Sequence, residues 1–165
     1  MKLLRAFRHL LLPDWWTQRA FTRSDLAAIG AAITAGEQAH RGELRFVVEG
    51  ALPLASLWRD QTSRARAVEL FASQRVWDTE ENSGIVIYVQ LLDRRVEILA
   101  DRGIAARVPQ AEWDAICREM EGSFRGGGWR SGALRAVARA TELLTQHFPA
   151  GTSNPNELPD QPLVL

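Results

Sequence analysis

The most informative part of the sequence is the run Ile85-Val86-Ile87-Tyr88-Val89-Gln90-Leu91-Leu92. It is rich in β-branched residues, and Gln90 is its one strongly polar member. Successive side chains of a strand point to opposite faces of a sheet, so a strand that is apolar at nearly every position must be covered on both faces. We therefore expect residues 85–92 to form a central strand between two layers of helices.

Two further strands are predicted next to this one. Residues 93–94 predict a tight turn into residues 95–100, where polar and apolar side chains alternate at first, as in the second strand of a hairpin. Upstream, residues 43–49 lie between two glycines and are rich in strand-forming types. We expect residues 43–49 to form the first strand of the core.

Helices are predicted between and around the strands, because apolar residues recur there every three or four positions. The predicted helices run from Thr22 to about Gly36, from Pro53 to about Ser73, from Pro109 to Gly122, and from Arg130 to about His147. The chain order is then helix, strand, helix, strand, strand, helix, helix. This order predicts an α/β fold, with a mixed sheet that carries helices on both faces.

The two ends of the chain are expected to lie outside the domain of residues 21–149. Residues 1–20 form a basic amphipathic segment, and arginines interrupt its apolar run too early for a secretory signal peptide. The segment either docks on the domain or rests on a membrane surface or a partner. Residues 150–165 contain three prolines and are predicted to be an extended tail.

Composition limits the classes of function that the chain can have. Its 165 residues suit one domain, and 20 basic residues balance 20 acidic residues. A neutral chain lacks the long-range attraction of a basic domain for nucleic acid, so nucleic-acid binding is not expected. The single cysteine, Cys117, excludes an internal disulfide and suits a reducing compartment. We expect a cytoplasmic protein, peripheral at a membrane if residues 1–20 contact one.

The acidic loop before the central strand is the best candidate for chemistry. Asp78, Glu80, Glu81 and Asn82 supply three carboxylates and an amide, and Ca²⁺ or Mg²⁺ prefers such oxygen ligands. Asp101 follows the third strand, and the hairpin should bring it beside the start of the central strand. These five residues are the predicted metal site. The alternative is that the loop is only a solvated turn.

Several local patterns, taken together, resemble the TPM domain family over about residues 22–148. The matching pieces are Gly42-Glu43 before an apolar strand, Ala67–Phe71, Asn82–Ile87, the 93–94 hairpin leading to Val96-Glu97-Ile98, and Phe124, Gly128-Trp129 and Gly132. The resemblance implies a three-layer αβα sandwich built on a small mixed sheet. It also implies links to divalent-metal binding, to weak acid phosphatase activity in some members, and to accessory roles in membrane complexes.

The chain departs from the family pattern at Asp101-Arg102-Gly103, where an acid replaces the first glycine of a Gly-x-Gly pair. This change either adds a metal ligand or removes a tight backbone approach. Two hypotheses follow for the function. The first is a module that binds a divalent cation and a protein partner, such as a membrane-anchored relative. The second is a weak metal-dependent acid phosphatase acting on small phosphate esters, in which Arg102 contacts the phosphate.

Overall fold

A computed structural model describes most of the chain. The predicted segments 1–20 and 150–165 lie partly outside the described residues. The described residues are 3–11, 15–151 and 156–165.

Within these ranges the chain forms eight helices and four strands. The helices are α1 (Leu3–Leu11), α2 (Trp15–Ala20), α3 (Arg23–Glu37), α4 (Leu54–Trp58), α5 (Ser63–Ser73), α6 (Arg102–Ala105), α7 (Gln110–Arg125) and α8 (Trp129–His147). The strands are β1 (Leu44–Glu49), β2 (Ile85–Gln90), β3 (Arg95–Ala100) and β4 (Leu163–Val164).

The strands form one mixed sheet in the order β3-β2-β1-β4. β1 pairs in parallel with β2, from Leu44 opposite Ile85 to Glu49 opposite Gln90. β2 and β3 form the predicted antiparallel hairpin, but β2 ends at Gln90, so that residues 91–92 join the turn at 93–94 instead of the strand. The short strand β4 pairs in parallel with the other edge of β1. The predicted tail therefore ends as a strand of the sheet, which the sequence did not indicate.

Both faces of the sheet are covered, as the run at residues 85–92 predicted. All six residues of β1 and all six of β2 are buried. On one face, Ile85, Ile87 and Val89 join a large apolar core that includes residues of α3, α7 and α8. On the other face, Val86 and Tyr88 pack in a smaller cluster with residues of α5 and of the C-terminal segment. The three-layer αβα sandwich is thereby confirmed.

Two predicted helices have different bounds in the structure. The helix predicted from Pro53 to Ser73 is divided into α4 and α5, because Asp60 has a left-handed φ of 50° and Thr62 caps a new helix. The Thr62 Oγ1 accepts a hydrogen bond from the Ala65 N–H at 3.1 Å. α7 continues through Gly122 to Arg125. One glycine costs a helix only about 1 kcal/mol relative to alanine, which the packing of α7 outweighs.

Helix α1 docks on the domain through its charged residues. Arg5 Nη2 donates to Asp93 Oδ2 at 2.7 Å, and His9 Nε2 lies 3.1 Å from Asp93 Oδ1. The Leu52 N–H donates to His9 Nδ1 at 3.0 Å, so Nε2 is the nitrogen that carries the proton toward Asp93. Burial opposes ionisation of Asp93, but hydrogen bonds from His9 and Arg5 outweigh it and hold the pKa of Asp93 well below its usual range.

A buried ion pair ties α5 to the sheet. Arg66 Nη2 donates to Glu49 Oε1 at 2.6 Å, and the Glu49 side chain is 1% exposed. The Tyr88 hydroxyl donates to Glu49 Oε2 at 2.5 Å. The hydrogen bonds with Glu49 raise the pKa of Arg66. β1, β2 and α5 therefore share one charged network in the smaller layer of the core.

The C-terminal segment is held along β1 by two polar side chains. The Glu43 carboxylate accepts hydrogen bonds from the N–H groups of Glu157 and Leu158, at 3.1 and 3.2 Å. Arg45 Nη1 donates to the carbonyl oxygens of Pro159 and Gln161, at 2.7 and 2.6 Å. Together with the apolar contacts of Leu158 and Leu163 in the smaller cluster, these bonds hold the segment on the sheet.

The carboxyl groups of Glu37, Glu43 and Asp160 lie close to one another beside the C-terminal segment. Burial, followed by repulsion from Glu43 and Asp160, raises the pKa of Glu37 to about 8. Burial also raises the pKa of Glu43 to about 7, against the effect of its two backbone hydrogen bonds. Arg45 is the cation of the same strand, and burial lowers its pKa. The folded chain therefore holds protons near neutral pH that the unfolded chain releases.

Replacing Arg66 by Met should destabilise the protein by about 3 kcal/mol, because the buried Glu49 carboxylate loses its cation. Urea unfolding followed by circular dichroism would measure the difference. Arg135→Met is the matched control, since the Arg135–Glu119 pair is exposed and should contribute no more than about 1 kcal/mol. Equal effects of the two substitutions would contradict the structural role given to Arg66.

Stability should fall as the pH rises from 6.5 to about 8. The pKa values of Glu37 and Glu43 are higher in the folded chain, so their contribution is complete below the unfolded pKa and is lost as the pH passes the folded pKa. His40, whose pKa burial lowers from 6.5, affects stability only at lower pH.

The urea midpoint at several pH values would measure this slope. Glu43→Gln should flatten it, whereas Glu119→Gln on the exposed surface of α7 should not change it. A wild-type midpoint that is constant or rising over this range would show that the two carboxyl groups are already ionised.

Candidate functional site

The loop before β2 and the turn after β3 are in direct contact. The Asp101 N–H donates to the Gly84 carbonyl at 2.8 Å, and the Gly103 N–H donates to the Asn82 carbonyl at 2.9 Å. The antiparallel pairing of β2 and β3 produces this contact, because it sets the end of β3 beside the start of β2. Asp101 thus lies beside the acidic loop as the sequence predicted, while the metal role of these residues stays a prediction.

Gly103 makes the close contact between the two turns possible. A Cβ atom at this position would lie 2.3 Å from the Glu81 carbonyl oxygen and 2.6 Å from that of Asn82. Both distances are far inside van der Waals contact, so any other residue would separate the turns. Asn82 has a left-handed φ of 52°, which asparagine tolerates better than most residues. The second glycine of the Gly-x-Gly pattern therefore retains its structural role here.

Asp101, the residue that replaces the first glycine, caps helix α6. Its Oδ1 accepts a hydrogen bond from the Arg102 N–H at 2.7 Å. Its other carboxylate oxygen, Oδ2, is buried and has no hydrogen-bond partner among the described residues. The substitution thus adds one capping oxygen and leaves a second oxygen unpaired.

Glu81 presents a similar arrangement on the facing loop. One carboxylate oxygen, Oε1, lies 2.9 Å from Arg41 Nη1 in a partly exposed ion pair. The other oxygen, Oε2, is buried and without a hydrogen-bond partner in the described part of the chain. Two touching turns therefore each carry one buried, unpaired carboxylate oxygen.

The other predicted site residues have different surroundings. Asn82 Oδ1 accepts a hydrogen bond from Arg102 Nε at 2.9 Å, which places the predicted anion contact at the same two turns. Asp78 pairs with Arg75, and its side chain is 45% exposed. Glu80 is exposed, and its N–H faces the Glu157 carboxylate at 3.3 Å. The two touching turns contain Glu81, Asn82, Asp101 and Arg102, and Arg102 is bonded to Asn82. Asp78 instead pairs with Arg75, and Glu80 is exposed.

No group of three or more His, Cys, Asp or Glu side chains is arranged to hold a metal ion within residues 3–11, 15–151 and 156–165. The candidate site in these ranges thus rests on two carboxylates supplemented by an amide.

A separate cavity lies at the other end of β2. Its volume is about 200 Å³. It is lined by Val89, Gln90, Leu91, Arg94, Arg95, Glu121, Phe124, Arg125 and Trp129. Three arginines thus border this cavity, and Arg102 is not among its lining residues. The carboxylates and the arginine-lined cavity lie at opposite ends of the same strand.

Cys117 and the buried histidines do not supply a nucleophile at either place. Burial raises the pKa of Cys117 to about 12, so its thiol stays protonated near neutral pH. His9 is committed to Asp93 and Leu52, as described above. His40 lies 3.0 Å through Nδ1 from the Gly42 carbonyl. Sequence reasoning missed the role of His9; the one available signal was its spacing of four residues from Arg5 in an amphipathic helix.

No helix in the described ranges is both long enough and apolar enough to cross a lipid bilayer.

Comparison with known proteins places the chain in a family. The family model described as the TPM domain matches residues 17–143. Among solved structures, the chain is similar to the BA42 protein of the psychrophilic bacterium Bizionia argentinensis, determined by NMR. The two are 25% identical, the TM-score is 0.76, and the match covers 88% of this chain and 95% of the other. No curated protein matches the chain. The match to the family model covers most of the sequence, and the chain therefore belongs to the TPM domain family.

Proposed function

We propose that this chain is an accessory domain that binds a divalent cation, Ca²⁺ or Mg²⁺, where the acidic loop meets the turn at residues 101–104. The observation that carries the proposal is the pair of buried, unpaired oxygens, Glu81 Oε2 and Asp101 Oδ2. A buried acceptor without a partner costs about 1–3 kcal/mol, and more when it is charged. A bound cation would remove this cost from both carboxylates at once.

The number of ligands supports weak binding. Ca²⁺ takes six to eight oxygen ligands and Mg²⁺ takes six, and water molecules complete sites that the protein fills only in part. Glu81, Asp101 and the amide oxygen of Asn82 would supply the protein ligands nearest the contact. With two carboxylates we expect a dissociation constant of about 10⁻⁴–10⁻³ M. Asp78 and Glu80 complete the predicted set and would act through water or through their charge.

The accessory role follows from what the site lacks. Neither turn carries a histidine or cysteine in residues 78–84 or 101–104, so a general base would have to be a carboxylate, and a nucleophile would have to be a carboxylate or the hydroxyl of Thr79 or Ser83. A protein partner, such as a membrane-anchored relative, and a cytoplasmic location both stay predictions.

Metal-dependent phosphatase activity on small phosphate esters is the second candidate. The observation in its favour is Arg102, whose Nε lies 2.9 Å from Asn82 Oδ1, so that a guanidinium stands beside the proposed cation ligands. A cation and an arginine at one place can neutralise a phosphate group. Against it, the cavity bordered by Arg94, Arg95 and Arg125 lies at the far end of β2. We therefore rank binding above catalysis.

Calorimetric titration with Ca²⁺ and Mg²⁺ would test cation binding. Asp101→Asn keeps an N-cap side chain for α6, and Glu81→Gln keeps the size and the Oε1 acceptor, so both variants should fold. We expect each to weaken binding about tenfold or more, because each removes one of two ligand charges. Glu119→Gln is the control and should bind like the wild type. Asp78→Asn would show whether the predicted set extends along the loop.

Two results would overturn the proposed cation site. One is the absence of any heat at millimolar Ca²⁺ and Mg²⁺. The other is equal binding by the wild type, Glu81→Gln and Asp101→Asn.

An assay with an aryl phosphate ester, with and without Mg²⁺ or Ca²⁺, would decide between the two candidates. An accessory domain should give the same rate for the wild type, Asp101→Asn and Arg102→Gln. A metal-dependent rate that falls in both variants would instead establish the phosphatase.

A further inference from the structure

Helix α1 is held by its polar side, and the large apolar side chains described on its other side are exposed. Arg5 and His9 point inward to Asp93, and Arg8 Nη1 donates to the Leu92 carbonyl at 3.2 Å. In contrast, the large apolar residues of α1 whose side chains are described are exposed. They are Phe7 at 55%, Leu10 at 62% and Leu11 at 72%.

Helical geometry accounts for the division. Positions three and four apart share a face of a helix, so residues 5, 8 and 9 lie on one side and residues 7, 10 and 11 on the other. An amphipathic helix on a globular domain ordinarily buries its apolar side against the core. In α1 the orientation is reversed, which leaves the apolar side available to a different occupant.

The neighbouring helix α4 adds to the exposed apolar surface. Arg5 Nη2 donates to the Gln61 carbonyl, beyond the end of α4, and His9 accepts from the Leu52 N–H, before its start. α1 and α4 therefore run antiparallel and side by side. α4 exposes Leu54 at 56% and Trp58 at 70%, four residues apart on one side of the helix. The apolar face is defined as Phe7, Leu10, Leu11, Leu54 and Trp58.

Exposed arginines lie on the two helices that carry this face and on the β2–β3 turn that receives α1. Arg8 on α1, Arg59 at the end of α4 and Arg94 in the β2–β3 turn are all exposed. Arg5 lies within 3.6 Å of both nearby acids, Asp60 and Asp93, and its single charge offsets part of theirs. Residues 1–23 contain five basic residues and one acidic residue, whereas residues 24–165 contain 15 basic and 19 acidic residues. The first 23 residues therefore carry a net positive charge within a neutral chain.

We infer that the apolar face binds the surface of a membrane that contains anionic lipids. A helix lying in the interface places its apolar side among the acyl chains, while basic residues contact the lipid head groups. Tryptophan, as at position 58, is favoured at this depth because its ring is apolar and its N–H is polar. A second copy of the chain fits less well, because two faces with positive borders would repel each other.

Vesicle co-sedimentation would test the inference, with full-length protein and EDTA present so that no cation bridges protein and lipid. The vesicles would contain phosphatidylcholine alone or with phosphatidylserine. The wild type should bind the mixed vesicles more strongly, and more weakly as salt increases. Leu10→Ser/Leu11→Ser should reduce the partition coefficient about tenfold or more, because both substitutions remove apolar surface from the interface.

Trp58→Ser and Trp77→Ser form a matched pair of variants. Both tryptophans are exposed, at 70% and 49%, but Trp77 lies in the loop before β2, at the other end of the strand from α1. Trp58→Ser should weaken vesicle binding and Trp77→Ser should not. Near-ultraviolet circular dichroism would confirm that each variant is folded.

Three results would overturn the inference. The first is the absence of wild-type binding to either kind of vesicle. The second is equal binding by the wild type and Leu10→Ser/Leu11→Ser. The third is a concentration-dependent dimer, seen by light scattering, that the double substitution abolishes, because the apolar face would then be an interface between two copies.

Discussion

The burial of β1 and β2 on both faces is the constraint on which the rest of the molecule depends. Every side chain on these strands faces a covering layer, so each polar one needs a partner within the protein. Glu49 has Arg66 and Tyr88, Arg45 has two carbonyl groups, and Gln90 bonds Gly50 and Asp93. These bonds determine where α5 and the C-terminal segment lie. The layer of α5 and the C-terminal segment is therefore positioned by polar contacts as well as by its small apolar cluster, whereas the layer of α3, α7 and α8 packs through the large apolar core.

The two ends of the central strand β2 carry different charged groups. At the start of β2, the contact between the acidic loop and Asp101 gathers carboxylate oxygens. At its end, Asp93 receives α1, and three arginines border the adjacent cavity. Six residues of strand span about 20 Å. Since salt screens exposed charges beyond about 8 Å at physiological ionic strength, exposed charges at the two ends of β2 interact only weakly.

Most of the secondary structure could be predicted from the sequence, because its hydrophobic patterns are long or end at clear turn residues. The run at residues 85–92 indicated a strand covered on both faces, of which residues 85–90 form β2, and the predicted turn indicated the hairpin that carries Asp101 to the acidic loop. β4 was not readable, because two strand residues after three prolines carry no periodicity. The break between α4 and α5 depends on one left-handed residue, Asp60, inside a helical pattern.

Some features of the candidate site could also be predicted from the sequence, and others could not. The contact between its two turns follows from strand order, which sequence can predict. The partners of the individual carboxylates cannot be predicted in this way. Glu81 pairs with Arg41, which is 40 positions away in the chain. Asp93 contacts His9 and Arg5, at separations of 84 and 88 residues. Such contacts depend on the packing of whole elements. A run of acids in a sequence therefore indicates where oxygens are available, but not which of them stay unpaired.

The position of α1 would keep a bound membrane away from the proposed cation site. A membrane on the apolar face would lie at the end of β2 that carries Asp93, a strand length away from Glu81 and Asp101. The carboxylates would then stay clear of the negative head groups, whose potential falls within about one Debye length of the surface. Lipid and cation could consequently bind the same molecule without competing for its charges. Such an arrangement suits a domain that binds a membrane surface near one end of β2, while the other end contacts ions or a partner in solution.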